Sequence, residues 1–257
     1  MSVFKRYLLA LLAGFLSAVV LSFLILFPVW WLFLALVLFW LAISVFLYFQ
    51  LYKGSEGFLY DSILLVVSQF SFIGLILLVE WDFLRWLLLV LCTVFVILLF
   101  LKLHKNNNGL AYQQKPIRRM KMMLWVFDVY AICTTVFAVS IFFSRIYFGL
   151  LAVLAGLVTA GISIMIWKMY FPTQDKKLYL WSALVGLVMM EIIWVLHLLP
   201  LGYLVLGLLV TWVWFILQVF IRFHLSLKDI IWRKQIPFLL VNLVLFFVIL
   251  FFIVRWI

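Results

Sequence analysis

Charged side chains are scarce in this chain: Asp, Glu, Lys and Arg together make up 11% of its 257 residues, whereas apolar residues make up 70%. A soluble domain must cover much of its surface with polar groups, and this composition does not supply enough of them. The shortage excludes a water-soluble globular protein. It predicts an integral membrane protein, in which lipid is the solvent for most of the surface and the spanning elements are helices.

Acidic residues are the rarer charge class, with 8 Asp and Glu against 19 Lys and Arg and a net charge of +11. In a soluble protein this excess would indicate binding to nucleic acid. In a membrane protein, Lys and Arg instead collect in short cytoplasmic loops. We therefore assign the charge to topology and predict no nucleic-acid partner. The lipid bilayer is the predicted partner, with anionic headgroups at the basic inner face.

Cysteine and histidine are also rare, with two and three residues respectively. Cys92 and Cys133 fall inside apolar segments and are predicted to be small buried residues, not a disulfide or a metal-binding pair. His104, His197 and His224 lie in three different regions. The sequence contains no zinc-protease, nucleophile-elbow or phosphate-loop motif. No metal and no cofactor are predicted, and no motif indicates an enzyme.

Proline is sparse, and none of the five prolines interrupts a long apolar segment. Since a spanning helix needs about 20 apolar residues, the sequence predicts an all-α, polytopic transmembrane helical bundle of about nine spans in tight hairpins. Unbroken spans give no signal for the discontinuous helices of many secondary transporters. The predicted spans are 7–27, 29–49, 58–79, 83–101, 122–143, 146–167, 178–199, 201–221 and 237–257.

The longest polar run covers residues 102–121 and holds six of the Lys and Arg residues and no acid. Pro116 is expected to break a helix in this run. We therefore predict a single membrane domain, 1–257, with a four-helix first half, 1–103, a basic cytoplasmic loop, 104–121, and a five-helix second half, 122–257.

The distribution of basic residues also orients the predicted bundle. With the N-terminus in the cytoplasm and alternating spans, sixteen of the nineteen Lys and Arg residues fall inside, and only Arg85, Arg145 and Arg255 fall outside. Such a split follows the rule that positive charge stays on the cytoplasmic side. We predict a cytoplasmic N-terminus and an external C-terminus.

Small residues recur every fourth position on two of the predicted spans. Small side chains at this spacing let two helix backbones approach closely in lipid. We predict helix packing at Gly14 and Ala18 on the first span and at Gly156 and Ala160 on the sixth. Packing inside the bundle is the favoured interpretation, and a dimer face is the alternative.

Three side chains form a candidate intramembrane polar site: Glu191, Asp128 and His197. Glu191 lies about 20 Å along the seventh span and Asp128 about 10 Å inside the fifth. His197 is on the same span as Glu191 but about 120° around the helix. Ionisable groups at membrane depth are costly, which makes each a functional candidate. A single carboxyl can also form an interhelical hydrogen bond, and we favour this structural interpretation.

The segment from Glu191 to Pro200 reads Glu-Ile-Ile-Trp-Val-Leu-His-Leu-Leu-Pro, and an apolar span, a basic connector and a last span ending in Arg255-Trp256 follow it. In this last quarter the chain resembles uncharacterised multi-pass bacterial membrane proteins with a Glu-x-x-Trp…Leu-Pro stretch. These proteins carry no assigned activity. The resemblance implies a bacterial host, and hence the cytoplasmic (inner) membrane, and it marks 191–200 as a special region.

Unbroken spans, short outer turns and few buried charges favour a non-enzymatic accessory or scaffold subunit with a membrane-protein partner. One alternative is a small secondary transporter or channel that uses Asp128 and Glu191. Another is a lipid-modifying enzyme attracted to anionic headgroups. A transporter requires a polar cavity joining Glu191 to one surface. A scaffold requires an exposed groove, and an enzyme requires polar side chains clustered at an interface.

Overall fold

A computed structural model describes residues 3–27, 30–52, 58–102, 111–143, 145–171, 176–225, 232–249 and 251. In these ranges the regular elements are all helices, and eight of them are long and apolar enough to cross a membrane. The helices are α1 Val3–Leu26, α2 Trp30–Tyr52, α3 Phe58–Leu78, α4 Asp82–Lys102, α5 Ala111–Phe142, α6 Phe148–Lys168, α7 Lys176–His197, α8 Tyr203–His224 and α9 Trp232–Val248. The apolar part of α9 is shorter than a span, so the count of nine spans stays a prediction.

Two helices begin five or more residues earlier than the sequence predicts. α5 begins at Ala111, inside the predicted basic loop, and continues through Pro116, so the expectation of a helix break there is wrong. α9 begins at Trp232 and contains Pro237, which was predicted to start it. Each proline is the sixth residue of its helix. It therefore removes one backbone hydrogen bond in the second turn, and each helix continues past its proline. Residues 104–110 of the predicted loop lie outside the described residues.

The chain divides into two compact units, Met1–Ala131 and Ile132–Ile257, whose boundary falls inside α5 rather than at the basic loop. The reason is that one continuous helix serves both units. Phe127 of α5 packs on Phe72 of α3, with ring centroids 4.5 Å apart, in the first unit. Thr134 of α5 packs against Gly207 of α8 in the second.

The first unit is built around a tight pairing of α1 with α4. A Cβ atom on Gly14 would overlap the side chain of Ile97 on α4, so the two helices approach closely at this glycine. Trp40 of α2 is fully buried, and its indole Nε1 donates a hydrogen bond of 2.9 Å to Ser17 of α1. The polar tip of a large buried aromatic ring is thereby satisfied.

The second unit is built around the antiparallel pair α6 and α7. A Cβ on Gly156 would lie 2.8 Å from the carbonyl oxygen of Gly186, so the two backbones touch at this level. One turn further along α6, Ser182 donates a hydrogen bond of 2.8 Å to the carbonyl of Ala160. Phe148 at the start of α6 packs near Trp194 late in α7. Contacts thus advance along α6 as they recede along α7.

Both cysteines are free thiols buried in apolar helices, Cys92 on α4 and Cys133 on α5. This agrees with their predicted role as small packing residues.

Candidate functional site

A groove lies between the start of α6 and the end of α7 in the second unit. Its volume is about 790 Å³, in the range of sites that hold a single small molecule. Hereafter the α6–α7 groove means the cavity lined by Tyr147, Gly149, Leu150, Ala152, Val153, Met190, Glu191, Trp194 and Val195. Most of these side chains are apolar, and several are exposed to the surroundings of the protein.

Glu191 is the only ionisable carboxyl among the residues that line the α6–α7 groove. Its side chain is exposed. Within the described ranges, no side chain or backbone group donates a hydrogen bond to it or pairs with it. Its helix position explains the exposure: Met189 and Ile193, on the other side of α7, are fully buried. Among the described lining residues the groove therefore contains one carboxyl group, and no other described residue uses its hydrogen-bonding capacity.

Two aromatic rings flank the groove where α6 begins. Tyr147 precedes α6 in extended conformation, and its ring lies 6.4 Å from that of Trp194. Gly149 allows this arrangement, because a Cβ there would overlap the tyrosine ring and lie 3.2 Å from the tryptophan. The site thus combines a polar acceptor, apolar walls and two amphipathic rings.

His197 is not part of the groove lining, although it lies on the same helix as Glu191. Its imidazole stacks on the ring of Phe148, with centroids 3.6 Å apart and planes 12° from parallel. The stacking holds the end of α7 against the start of α6. The structure therefore does not bring His197 and Glu191 together into one site.

Asp128 belongs to the first unit, where it is completely buried. Ser68 of α3 donates a hydrogen bond of 2.9 Å to its Oδ2, and the hydroxyl of Ser71 lies beside the same carboxyl. Its Oδ1 has no hydrogen-bond partner among the described residues. A buried polar atom without a partner carries a free-energy cost, which makes this group a second candidate site.

A second polar contact lies two helical turns from Asp128 on the same pair of helices. Lys121 of α5 donates to Asp61 of α3 at 2.5 Å. In both pairs the two residues are sixty positions apart, so α3 and α5 run parallel with constant register. A parallel pair fits the predicted hairpins, because α4 returns between them.

Sequence reasoning missed Ser68, Gly149 and Tyr147. The equal spacing from Asp61 to Ser68 and from Lys121 to Asp128 could have indicated Ser68, since residues seven apart share a helix face. No such periodic signal marks Tyr147 or Gly149, because a groove between two helices depends on how they cross. Over the described parts of the chain, no three His, Cys, Asp or Glu side chains cluster as metal ligands would.

The helices and their apolar surfaces are those of a multi-pass integral membrane protein. Comparison with family models, curated proteins and solved structures found no match to the chain.

Proposed function

We propose that this protein is a non-enzymatic, accessory membrane protein that holds a second membrane component in the α6–α7 groove. The observation that carries the proposal is Glu191, an exposed carboxyl in a mainly apolar groove that has no partner among the residues the structure describes. A carboxyl facing lipid is costly unless something pairs with it. The free energy of the membrane-embedded protein therefore falls when a component with a hydrogen-bond donor enters the groove.

The shape of the groove favours holding over transport or catalysis. A carrier requires a polar cavity leading from Glu191 to one surface, whereas these walls are formed by residues such as Leu150, Val153 and Val195. A lipid-modifying enzyme requires several polar groups around a reacting bond, whereas Glu191 is the only ionisable carboxyl here. An exposed, mainly apolar groove is what an accessory or scaffold protein needs.

The proposal includes the predicted topology. With a cytoplasmic N-terminus and nine spans, α6 begins and α7 ends at the outer face of the inner membrane. The groove then opens sideways into the outer leaflet, and Glu191 lies about 9 Å from the end of α7. Membrane components would enter it laterally.

Site-specific photocrosslinking in intact membranes tests the proposal. A photoreactive side chain at Leu150, which lines the groove and is 56% exposed, should capture a discrete adduct. The matched control is Leu157, seven residues along the same helix face and 65% exposed, but outside the groove. A discrete adduct at 150 with only diffuse labelling at 157 supports the proposal. Equal labelling at both positions contradicts it.

A second candidate function is transport, which one observation favours. Asp128 is a fully buried carboxyl with a free oxygen atom, two turns from the Asp61–Lys121 pair on the same helices. Carboxyls at graded depths are an arrangement that can relay protons or cations. Thermal unfolding and growth complementation of an Asp128→Asn variant separate this candidate from a structural role.

A further inference from the structure

Resting on the function proposed above, we infer that the component in the α6–α7 groove is an aminophospholipid, a glycerophospholipid whose headgroup ends in a primary amine. Its ammonium group pairs with Glu191, and one acyl chain lies along the apolar walls formed by α6 and α7. Three observations lead to this ligand: the size of the groove, the single carboxyl among its described lining residues and the position of its aromatic rings.

The size of the groove fits a lipid better than a protein. A stable protein–protein interface uses about 20–30 residues on each side. The α6–α7 groove has nine lining residues and a volume of about 790 Å³, which is the scale of a single small ligand. The apolar walls offer an acyl chain the dispersion contacts that it would otherwise make with neighbouring lipids.

The charge of the groove selects the headgroup. Glu191 accepts hydrogen bonds when ionised and has no donor within the described ranges. An ammonium group carries three donors and a positive charge, and charge-assisted hydrogen bonds of this kind are roughly twice as strong as neutral ones. A headgroup that carries only phosphate and hydroxyl groups would bring a net negative charge towards the carboxylate. The groove should therefore discriminate between zwitterionic aminophospholipids and anionic lipids.

The aromatic rings place the headgroup at a reachable depth. Tyr147 and Trp194 lie together at the start of α6 and near the end of α7. Tyrosine and tryptophan are enriched at the level of lipid headgroups. Glu191 is three residues before Trp194, about one helical turn deeper. An ammonium near these rings can reach the carboxyl, while the acyl chain continues past Leu150 and Val153.

The test is native mass spectrometry of the full-length protein in nanodiscs or mild detergent, with phosphatidylethanolamine and phosphatidylglycerol of identical acyl chains. We expect the wild-type protein to retain the ethanolamine lipid preferentially. Glu191→Gln should weaken its retention by about tenfold or more, the factor that corresponds to a lost hydrogen bond to a charged group. Glu191→Asp should keep a preference for the amine, because the carboxyl group remains.

Glu80→Gln is the matched control, since Glu80 is an exposed carboxyl at the α3–α4 turn and far along the chain from the groove. It should bind as the wild-type protein does, and a thermal melt of each variant shows that it is folded. Undiminished ethanolamine binding by Glu191→Gln, or equal retention of phosphatidylglycerol by the wild-type protein, would overturn the inference.

The crosslink at Leu150 separates this inference from the function on which it rests. An adduct with the mass of an ethanolamine phospholipid supports both. An adduct with a protein overturns the lipid assignment but leaves the groove as a docking site. The absence of any discrete adduct overturns the proposed function itself.

Discussion

Asp128 and Glu191 are both carboxyl groups on long apolar helices, yet their surroundings differ. Asp128 is completely buried and accepts a hydrogen bond from Ser68 of a neighbouring helix. Glu191 is exposed in a groove and has no donor in the part of the chain that the structure describes. The first arrangement is that of a structural contact between helices. The second leaves the carboxyl without a partner among the described residues, as the binding site proposed above requires.

For single residues, we predict how substitutions of Asp128 change the stability of the protein. Asp128→Asn can keep the contact with Ser68 and should melt within a few degrees of the wild-type protein. Asp128→Leu leaves the serine hydroxyl without its partner and should cost about 1 kcal/mol. The measurement is thermal unfolding in mild detergent. A leucine variant as stable as the wild-type protein would show that the contact has no structural value.

The same asparagine variant tests the transport candidate. Asparagine cannot titrate, so a folded Asp128→Asn protein that fails to complement growth of a deletion strain would favour a proton or cation relay. Normal complementation would leave Asp128 with its structural role.

Among the helices, the close contact of α6 with α7 is the feature that sets the groove. Gly156 and Gly186 bring the two backbones together at one level, and the aromatic side chains of Phe148 and Trp194 fill the gap nearer the helix ends. The groove exists because small residues hold the helices close at one point and leave space beside the larger side chains. The four-residue spacing of small residues predicted Gly156 as a helix-packing residue but did not predict Gly186, against which it packs.

Gly14 and Gly156 lie in equivalent sequence patterns, but we predict that replacing them with alanine destabilises the protein to different extents. At Gly156 an added Cβ meets a backbone oxygen, which cannot move without shifting α7. At Gly14 it meets the side chain of Ile97, which is only partly buried and can change rotamer. Gly156→Ala should therefore destabilise the protein by about 1–3 kcal/mol, the range for overpacking, and Gly14→Ala by less.

Gly161 provides the control for this pair. It lies on α6 near Gly156, and an added Cβ there would meet no atom within 4 Å. Gly161→Ala should be neutral or slightly stabilising, because alanine has the higher helix propensity. If all three variants melt at the same temperature, the close approach of α6 and α7 does not limit stability.

For the whole molecule, the number of spans decides where the C-terminus lies. The described helices include eight of spanning length, and the apolar part of α9 is shorter. Nine spans put the two chain ends on opposite sides of the membrane, whereas eight put them on the same side. The parallel register of α3 with α5 agrees with regular hairpins in the first unit.

We predict that single cysteines introduced at Asn107 and Lys176 react with membrane-impermeant reagents only from the cytoplasm, and one added after Ile257 only from outside. The native Cys92 and Cys133 are buried and should not interfere. A C-terminal cysteine that reacts only from the cytoplasm would contradict the nine-span layout and would indicate that α9 does not cross the membrane.

The sequence by itself determined the solvent of this protein and the approximate position of its helices. Composition excludes water as the main solvent, and a membrane of fixed thickness imposes apolar segments of about 20 residues that can be counted directly. The bounds of α3, Phe58–Leu78, and α4, Asp82–Lys102, therefore fall within a residue or so of their predicted ends. The starts of α5 and α9 were misplaced because the membrane thickness sets only the apolar part of a helix, and both helices begin in a polar segment that precedes that part.

Only the tertiary structure decided which polar groups are buried and which are available to a ligand. The positions of Glu191 and Asp128 along their predicted spans placed both inside the membrane. The depth of a residue does not show which side of its helix faces a neighbouring helix. Helix crossing decides this, because the contact between Gly156 and Gly186 turns Glu191 outward into a groove, while the parallel register of α3 and α5 encloses Asp128 against Ser68. These pairings join residues thirty to sixty positions apart, and no local pattern of residues specifies them.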